Sequence, residues 1–500
     1  MLTIFMQMPS LTSTRVSDYP ESLHVHKLSA ARYLYRTTST STTSAIPDEL
    51  LSAIFHFATH DFHDCYDAIF HAITISHVCQ HWRNVSLSTA SLWTVIVLTF
   101  PSHRNQFLRT INYLVRSRSR PLHLYMDFRD PAWNWDETSH PFGWKNMENV
   151  MRLLLPHTHR WQKVELLTDT WAPIFTFLSY TSRIQSAPML QDVVLSRCNA
   201  FFAAKGEFFR PSAMKNPIAW FGGGSAFHSL RRVSLAGVHV NWANSGLSGL
   251  LELELKYHAS EVMPTLQEFC SIISACPELE RLSILGWGPQ IDRDAVPKQR
   301  SLYLPHLQDF AFAFIDVDYA IDLLSLFHFP ALTTLSIEDL SSSVDPSHPC
   351  DASRLLDYLT AAHQGCCATS SHTSPCTICC PYPLSSLRSL ELHLTSCEAS
   401  LCRLLQEMPA LDDLVLSNLD KSSLCAIIPD LIVSALCPNL HDLKFKDANA
   451  STIAALSACL QVGANSPSMR VVVAADVTDS DDTTHQLIHA LRSTGIDVTV

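Results

Sequence analysis

The residues best equipped for chemistry lie in the stretch His363 to Cys380, HQGCCATSSHTSPCTICC. Cys376 and Cys379 form a C-x-x-C, a bite that suits tetrahedral zinc, with His363, Cys366, Cys367 and His372 close by in sequence. Zinc needs four such ligands, and no familiar spacing fixes the second pair, so a loop of reduced thiols explains the stretch without a metal. A thioredoxin-like use fits less well, because the motif sits among Ser, Thr and Pro rather than at a helix start after a strand. FGGGS, Phe221 to Ser225, has the glycines of an oxyanion loop, but no G-x-S-x-G elbow accompanies it. Neither a G-x-x-x-x-G-K-[ST] phosphate loop nor an H-E-x-x-H helix is present. A glycine-rich connector accounts for FGGGS. The expectation is therefore a non-enzyme, with no catalytic residue, no metal and no cofactor.

Composition narrows the remaining classes. With 500 residues, 47% of them hydrophobic, the chain can hold two or three domains or one elongated array. A net charge of -12 with 16% charged residues argues against a broad nucleic-acid surface. The sixteen cysteines are scattered, and several, such as Cys270, Cys276, Cys402 and Cys459, sit inside apolar periodic segments. Reduced thiols in a cytoplasmic or nuclear protein fit that pattern. No run approaches about 18 uninterrupted apolar residues, so no membrane span is expected. Residues 1–45 are rich in Ser and Thr and read as a disordered tail, without the basic start or cleavage site of a secretory signal; Asp18 and Glu21 oppose a transit peptide.

What must position any function begins at Ile46. Pro47 suits a first helical turn, and Asp48 and Glu49 place negative charge at its positive end. Leu50, Leu51, Ile54, Phe55 and Ala58 then recur as an apolar helical face to about Thr59. After the linker His60 to Asp67, a second helix is predicted over Ala68 to Val85, with Ala72, Ile75, Cys79 and Trp82 as its stripe. Helices this short bury too little to stand alone, so something must cover the stripe.

From Ile46 to Trp93, the order I-P-D-E-L-L-x-x-I-F, a gap, V-C-Q-H-W-R and a closing L-W resembles the F-box family. Ile46 stands where the family usually has leucine, and the segment between the helices is longer than usual. The resemblance implies a module, 46–98, that docks the Skp-type adaptor of a cullin-based ubiquitin ligase. By position in the motif it makes Pro47, Leu50, Leu51, Ile54 and Trp82 the adaptor contacts.

Next, a helix is predicted over Asn105 to Arg116 and a strand from Pro121, with 99–158 as an irregular connecting repeat. Arg116, Arg118 and Arg120 cluster at that helix end, where cations are stabilised by the dipole. The aromatic stretch Asp130 to Trp144 reads as tryptophans packed under a loop. From Trp161 a phrase of apolar, two variable, apolar, variable, apolar recurs, led by Leu190, Leu230, Leu250, Leu279, Leu307, Leu332, Leu387, Leu411 and Leu440 at gaps of 40, 20, 29, 28, 25, 55, 24 and 29. Helical patterns separate the phrases. Phrase and period resemble a leucine-rich repeat, implying a strand-helix solenoid over 159–500 with the Cys/His insertion at 363–383. The expected fold class is thus α/β: a short helical module followed by an irregular solenoid. Alternation within each phrase places Arg232, Glu252, Glu254, Lys256 and Arg281 on the exposed sheet face, as candidate contacts for a target protein.

Together these readings point to a substrate receptor of an SCF-type ubiquitin ligase, with a protein target and neither nucleic acid nor membrane as partner. The alternatives are a scaffold or repeat-based interaction protein without a role in ubiquitin transfer, and an enzyme built on the Cys-His loop.

Overall fold

The computed structural model describes residues 46–60, 65–101, 103–197, 208–225, 227–291, 302–344, 350–367, 381–394, 397–419, 421–432, 436–448, 450–460, 470–475, 482–493 and 497–499. Each apolar phrase becomes one of the strands. In chain order these are β1 (Val95–Thr99), β2 (Leu122–Asp127), β3 (Trp161–Thr168), β4 (Asp192–Arg197), β5 (Arg232–Ala236), β6 (Glu252–Lys256), β7 (Arg281–Leu285), β8 (Leu302–Tyr303), β9 (Asp309–Phe314), β10 (Phe327–His328), β11 (Thr334–Asp339), β12 (Ser389–His393), β13 (Asp413–Ser417), β14 (Asp442–Ala448), β15 (Arg470–Ala475) and β16 (Asp497–Thr499). All except β8 and β10 form one 14-stranded sheet in which each strand lies beside the next in sequence. Every pairing is parallel. The protein is mixed α/β.

Alternation explains the burial in strands such as β6 and β12, whereas β1 is buried from Val95 to Leu98 and β13 from Leu414 to Ser417. In β6, Leu253 and Leu255 point into the core beneath the buried leading Leu250, while Glu252, Glu254 and Lys256 keep partial exposure on the opposite face. β12 repeats this with Leu387, Leu390 and Leu392. Four strands end at a residue in the left-handed region: Gly237 after β5, Tyr257 after β6, Gly286 after β7 and Asn418 after β13, with φ of 61°, 56°, 92° and 61°. Gly and Asn adopt that conformation readily; Tyr257 adopts it against its own preference. On the core side, the helices Ser353–Cys367, Glu398–Gln406, Lys421–Ile432, Ala450–Leu460 and Asp482–Ser493 pack each against the next.

The N-terminal segment departs from expectation. Besides α1 (Asp48–His60), two helices replace the single one predicted over 68–85: α2 (Cys65–Val78) and α3 (Gln80–Ser88). The break is at Cys79, which is extended at φ −156° and ψ 172°, and whose Sγ accepts the Trp82 N–H at 3.4 Å. Cys79 is therefore an exposed cap rather than a core residue. The turn swings Trp82 onto Phe55.

β1 and β2 already belong to the large sheet, and Leu51, Phe55 and Ile69 share one continuous core with it. α4 (Arg104–Arg116) follows β1, and its C-terminal end is closed by a distant residue. The buried Arg160 guanidinium donates to the carbonyls of Leu114, at 2.8 Å, and Arg118, and to Ser117 Oγ at 2.9 Å. Arg116, expected to serve that helix end, instead lies over the Trp93 ring, 4.5 Å from its centroid.

Candidate functional site

Two apolar stripes run along α1. Leu51 and Phe55 face inward with Thr59 and are buried. Leu50, Ile54 and Phe57, at four and three spacing on another face, are 59%, 51% and 71% exposed. Among the sequence-expected contacts, Pro47, Leu50 and Ile54 reach the surface, Leu51 lies beneath it, and Trp82 is half-buried with its ring centroid 4.8 Å from that of Phe55. Phe57 was missed by the sequence pattern, as were the exposed Phe70 and Val78 of α2.

The inner stripe is covered by the chain itself. Trp93 is fully buried, its Nε1 donates to the Ser86 carbonyl at 2.9 Å, and its ring meets Tyr113 edge-on at 4.9 Å. Tyr113 Oη in turn donates to the Ile69 carbonyl at 2.8 Å, joining α4 to α2. These contacts hold α1 to α3 against β1 and leave only the outer faces open. Among the described residues, large exposed apolar side chains concentrate here: Leu50, Ile54, Phe57, Phe70, Val78, Leu87, Leu108, Ile111 and Val115 all precede residue 116, against Trp135, Trp144, Met189, Phe208 and Tyr303 in the remainder. Such clustering makes this segment a candidate interaction surface.

A second candidate surface is the sheet face. Strand register aligns Lys163, Asp192, Arg232, Glu252, Arg281 and Asp309 in one row across six neighbouring strands, alternating in sign. Arg232 lies 3.3 Å from Asp192 and 3.0 Å from Glu252, and Arg281 lies 3.0 Å from the same Glu252 oxygen. In the next row, Glu254 receives Ser234 Oγ at 2.6 Å and Lys256 at 2.9 Å. The five expected target-contact residues thus lie on neighbouring strands of one face, already paired in two sets, Arg232 and Arg281 on Glu252, and Lys256 on Glu254. Arg232 and Arg281 each spend an N–H donor on Glu252, so a phosphate gripped by both would compete with that carboxylate.

Burial raises the Asp309 carboxyl above its ordinary range; Arg281 opposes this, while Glu254, Glu252 and Glu391 add to it. Glu391 moves the other way, to about 2, because His393 bonds it at 2.8 Å and Lys446 adds a second hydrogen bond at 2.6 Å.

No protein-family model matches the chain, and no curated protein matches it significantly. The FGGGS signal resolves structurally. In FGGGS the Gly223 and Gly224 amides donate to the Trp220 carbonyl at 3.0 and 3.2 Å, and Ser225 Oγ donates to Gly222 at 2.9 Å. An oxyanion loop needs such amides directed at a ligand; these close a turn. Cys376, Cys379 and His372 lie outside the described residues, and Cys366 and Cys367 end the helix Ser353–Cys367. His363 is buried, with Nδ1 3.2 Å from the Tyr382 carbonyl and Nε2 3.9 Å from Glu407. Among the described residues no group of three or more His, Cys, Asp or Glu is placed to hold a metal, and no helix is long and apolar enough to cross a membrane. Trp133 is buried under its own loop, donating to the Asp136 carbonyl at 2.9 Å, whereas Trp135 and Trp144 are half-exposed.

Proposed function

We propose that this chain is the substrate-recognition subunit of a cullin-based, SCF-type ubiquitin ligase. The F-box-like module docks the Skp-type adaptor, and the sheet face of the repeat array holds a protein target. Catalysis then occurs on other subunits, by positioning a target lysine near a charged conjugating enzyme.

The observation that carries this reading is the outer stripe of α1. Leu50, Ile54 and Phe57 lie exposed on a helix whose other apolar face is already buried. A stripe left uncovered by the described residues supports a helix-docking partner. Pro47 and Trp82 border it from the helix start and from α3, and Leu51 supports it from below. Repeated strand phrases that resemble a leucine-rich repeat support a broad face for a target protein.

The test is a pull-down of purified Skp-type adaptor by the full chain and by a Leu50→Asp, Ile54→Asp variant. Both side chains are exposed, so the variant is expected to fold. Adaptor capture by wild type and its loss in the variant support the reading; wild type that fails to bind a competent adaptor rejects it. Ubiquitin transfer to a bound target in a reconstituted ligase separates a receptor from a scaffold that docks without leading to transfer.

A further inference from the structure

Among the described residues nothing covers a second apolar stripe, which runs along α4. The inner side of this helix buries Thr110, Tyr113 and Leu114, while Leu108, Ile111 and Val115 are 49%, 46% and 72% exposed. At about 100° per residue these three fall within one narrow sector, and Arg104 falls inside the same sector at the start of the helix. Just past the end stand Arg118 and Arg120, both exposed. The segment His103 to Arg120, HRNQFLRTINYLVRSRSR, contains no Asp or Glu, although the whole chain has a net charge of -12.

Local structure accounts for only part of this basic character. Arg109 donates to the Val97 carbonyl at 3.1 Å, and Arg116 lies over Trp93. The helix C-terminus is capped by Arg160, so Arg118 and Arg120 are not needed there. Among the described residues, no ion pair joins the side chains of Arg104, Arg118 or Arg120 to a carboxylate. Arg104 even opposes the helix, since it places a cation at the positive end of the dipole in a first turn with no acidic residue.

We infer that the outer face of α4 docks an acidic amphipathic helix of a partner protein, whose apolar stripe covers Leu108, Ile111 and Val115 and whose carboxylates meet Arg104, Arg118 and Arg120. The three free cations are all arginines, which pair with carboxylates through two parallel N–H bonds and are enriched at protein interfaces where lysine is depleted. A straight aliphatic stripe of about two turns matches a helix laid along it. An anionic lipid surface fits less well. The stripe has no Trp or Tyr to anchor at the headgroups, and the rest of this acidic chain is repelled by such a surface. The inference does not rest on adaptor docking through α1.

The experiment measures binding of the full chain to a designed peptide helix with leucines on one stripe and glutamates beside them. The same helix with lysines in place of glutamates, and vesicles of phosphatidylserine and phosphatidylcholine, are the comparison probes. The expected result is saturable binding of the acidic helix that weakens with added salt and falls by at least about tenfold in Arg118→Glu, Arg120→Glu and in Ile111→Asp. Arg104→Glu is expected to weaken binding while raising the thermal midpoint, which separates lost docking from lost folding. The Leu50→Asp, Ile54→Asp variant is expected to bind the acidic helix as wild type does, so failure of the adaptor reading leaves this result standing. Absence of acidic-helix binding, equal binding of the lysine helix, tighter binding to the vesicles, or indifference to all three α4 variants overturns the inference.

Discussion

Trp82 lays its ring against Phe55 with 4.8 Å between centroids and 57° between planes, and this contact divides α1 into an inner and an outer face. Leu51, on the inner face, is 2% exposed; Leu50, its neighbour in sequence, is 59% exposed. Truncating the first leaves a cavity and truncating the second does not. Leu51→Ala is expected to cost about 2–5 kcal/mol of stability, and Leu50→Ala at most about 0.5 kcal/mol. Urea denaturation of the two variants checks this, and equal losses would mean that α1 does not present two distinct faces.

Glu252 joins Arg232 to Arg281 across three adjacent strands. Because both guanidiniums are largely exposed, the pairs contribute little to folding, and Glu252→Ala is expected to lower stability by no more than about 1 kcal/mol, with the difference shrinking in high salt. The same substitution releases Arg281 and leaves Arg232 paired with Asp192 alone on the sheet face. If that face holds an acidic target segment, Glu252→Ala should tighten target binding even as it slightly weakens the fold, a combination that paired binding and denaturation measurements detect.

The strand phrases were legible because their signal is local. A period of two within L-x-x-L-x-L fixes which side chains face the core, and Leu253, Leu255, Leu390 and Leu392 are buried accordingly. The charged row was legible as a list of residues but not as a ladder, since register between strands sets its alternation of sign. The break at Cys79 was hidden because Cys79 continues an apolar helical stripe in sequence, and only its extended backbone reveals the cap. Treating Leu50, Leu51, Ile54 and Phe55 as one face failed for a geometric reason: adjacent residues on a helix point about 100° apart, and tertiary packing decides which pair is covered. The Arg160 cap on α4 joins residues too distant in sequence for any local pattern to show.

Two acid-sensitive features act in different pH windows. His239 and His258 are both held down to about 4, chiefly by burial, and each has an unpaired buried Nδ1 while Nε2 donates to a carbonyl, of Lys215 and Val238 respectively. A histidine whose folded pKa is depressed takes up its proton more readily in the unfolded chain. Stability is therefore fully present above about pH 6.5 and is lost progressively down to about 4, by up to about 1.4 kcal/mol per pH unit for each ring. Glu391, held at about 2, acts lower: its contribution is present above the ordinary carboxylate range and disappears as pH falls through 2. Denaturation midpoints across the acid range are expected to fall in both windows, and replacing both histidines with glutamine should flatten only the upper one. An unchanged upper slope in that variant would show that other groups govern it.

Gly224 and Gly246 bring two loops into backbone contact, and neither has room for a side chain. A Cβ on Gly224, whose φ is +79°, would lie 2.1 Å from Gly246 Cα. The obstruction is backbone, so no rotamer change relieves it, and the left-handed conformation adds strain of its own. Gly223, one residue earlier, has φ +73° but meets nothing closer than the Asn244 Cβ at 3.8 Å. The pair separates sterics from conformation. Gly223→Ala is expected to cost about 1 kcal/mol from backbone strain alone, whereas Gly224→Ala should cost well beyond about 2 kcal/mol and reduce soluble yield. Thermal melts of the two variants decide the matter: a Gly224→Ala protein as stable as Gly223→Ala would mean that the FGGGS turn can move away from the 242–246 segment, and that its glycines do not serve close packing.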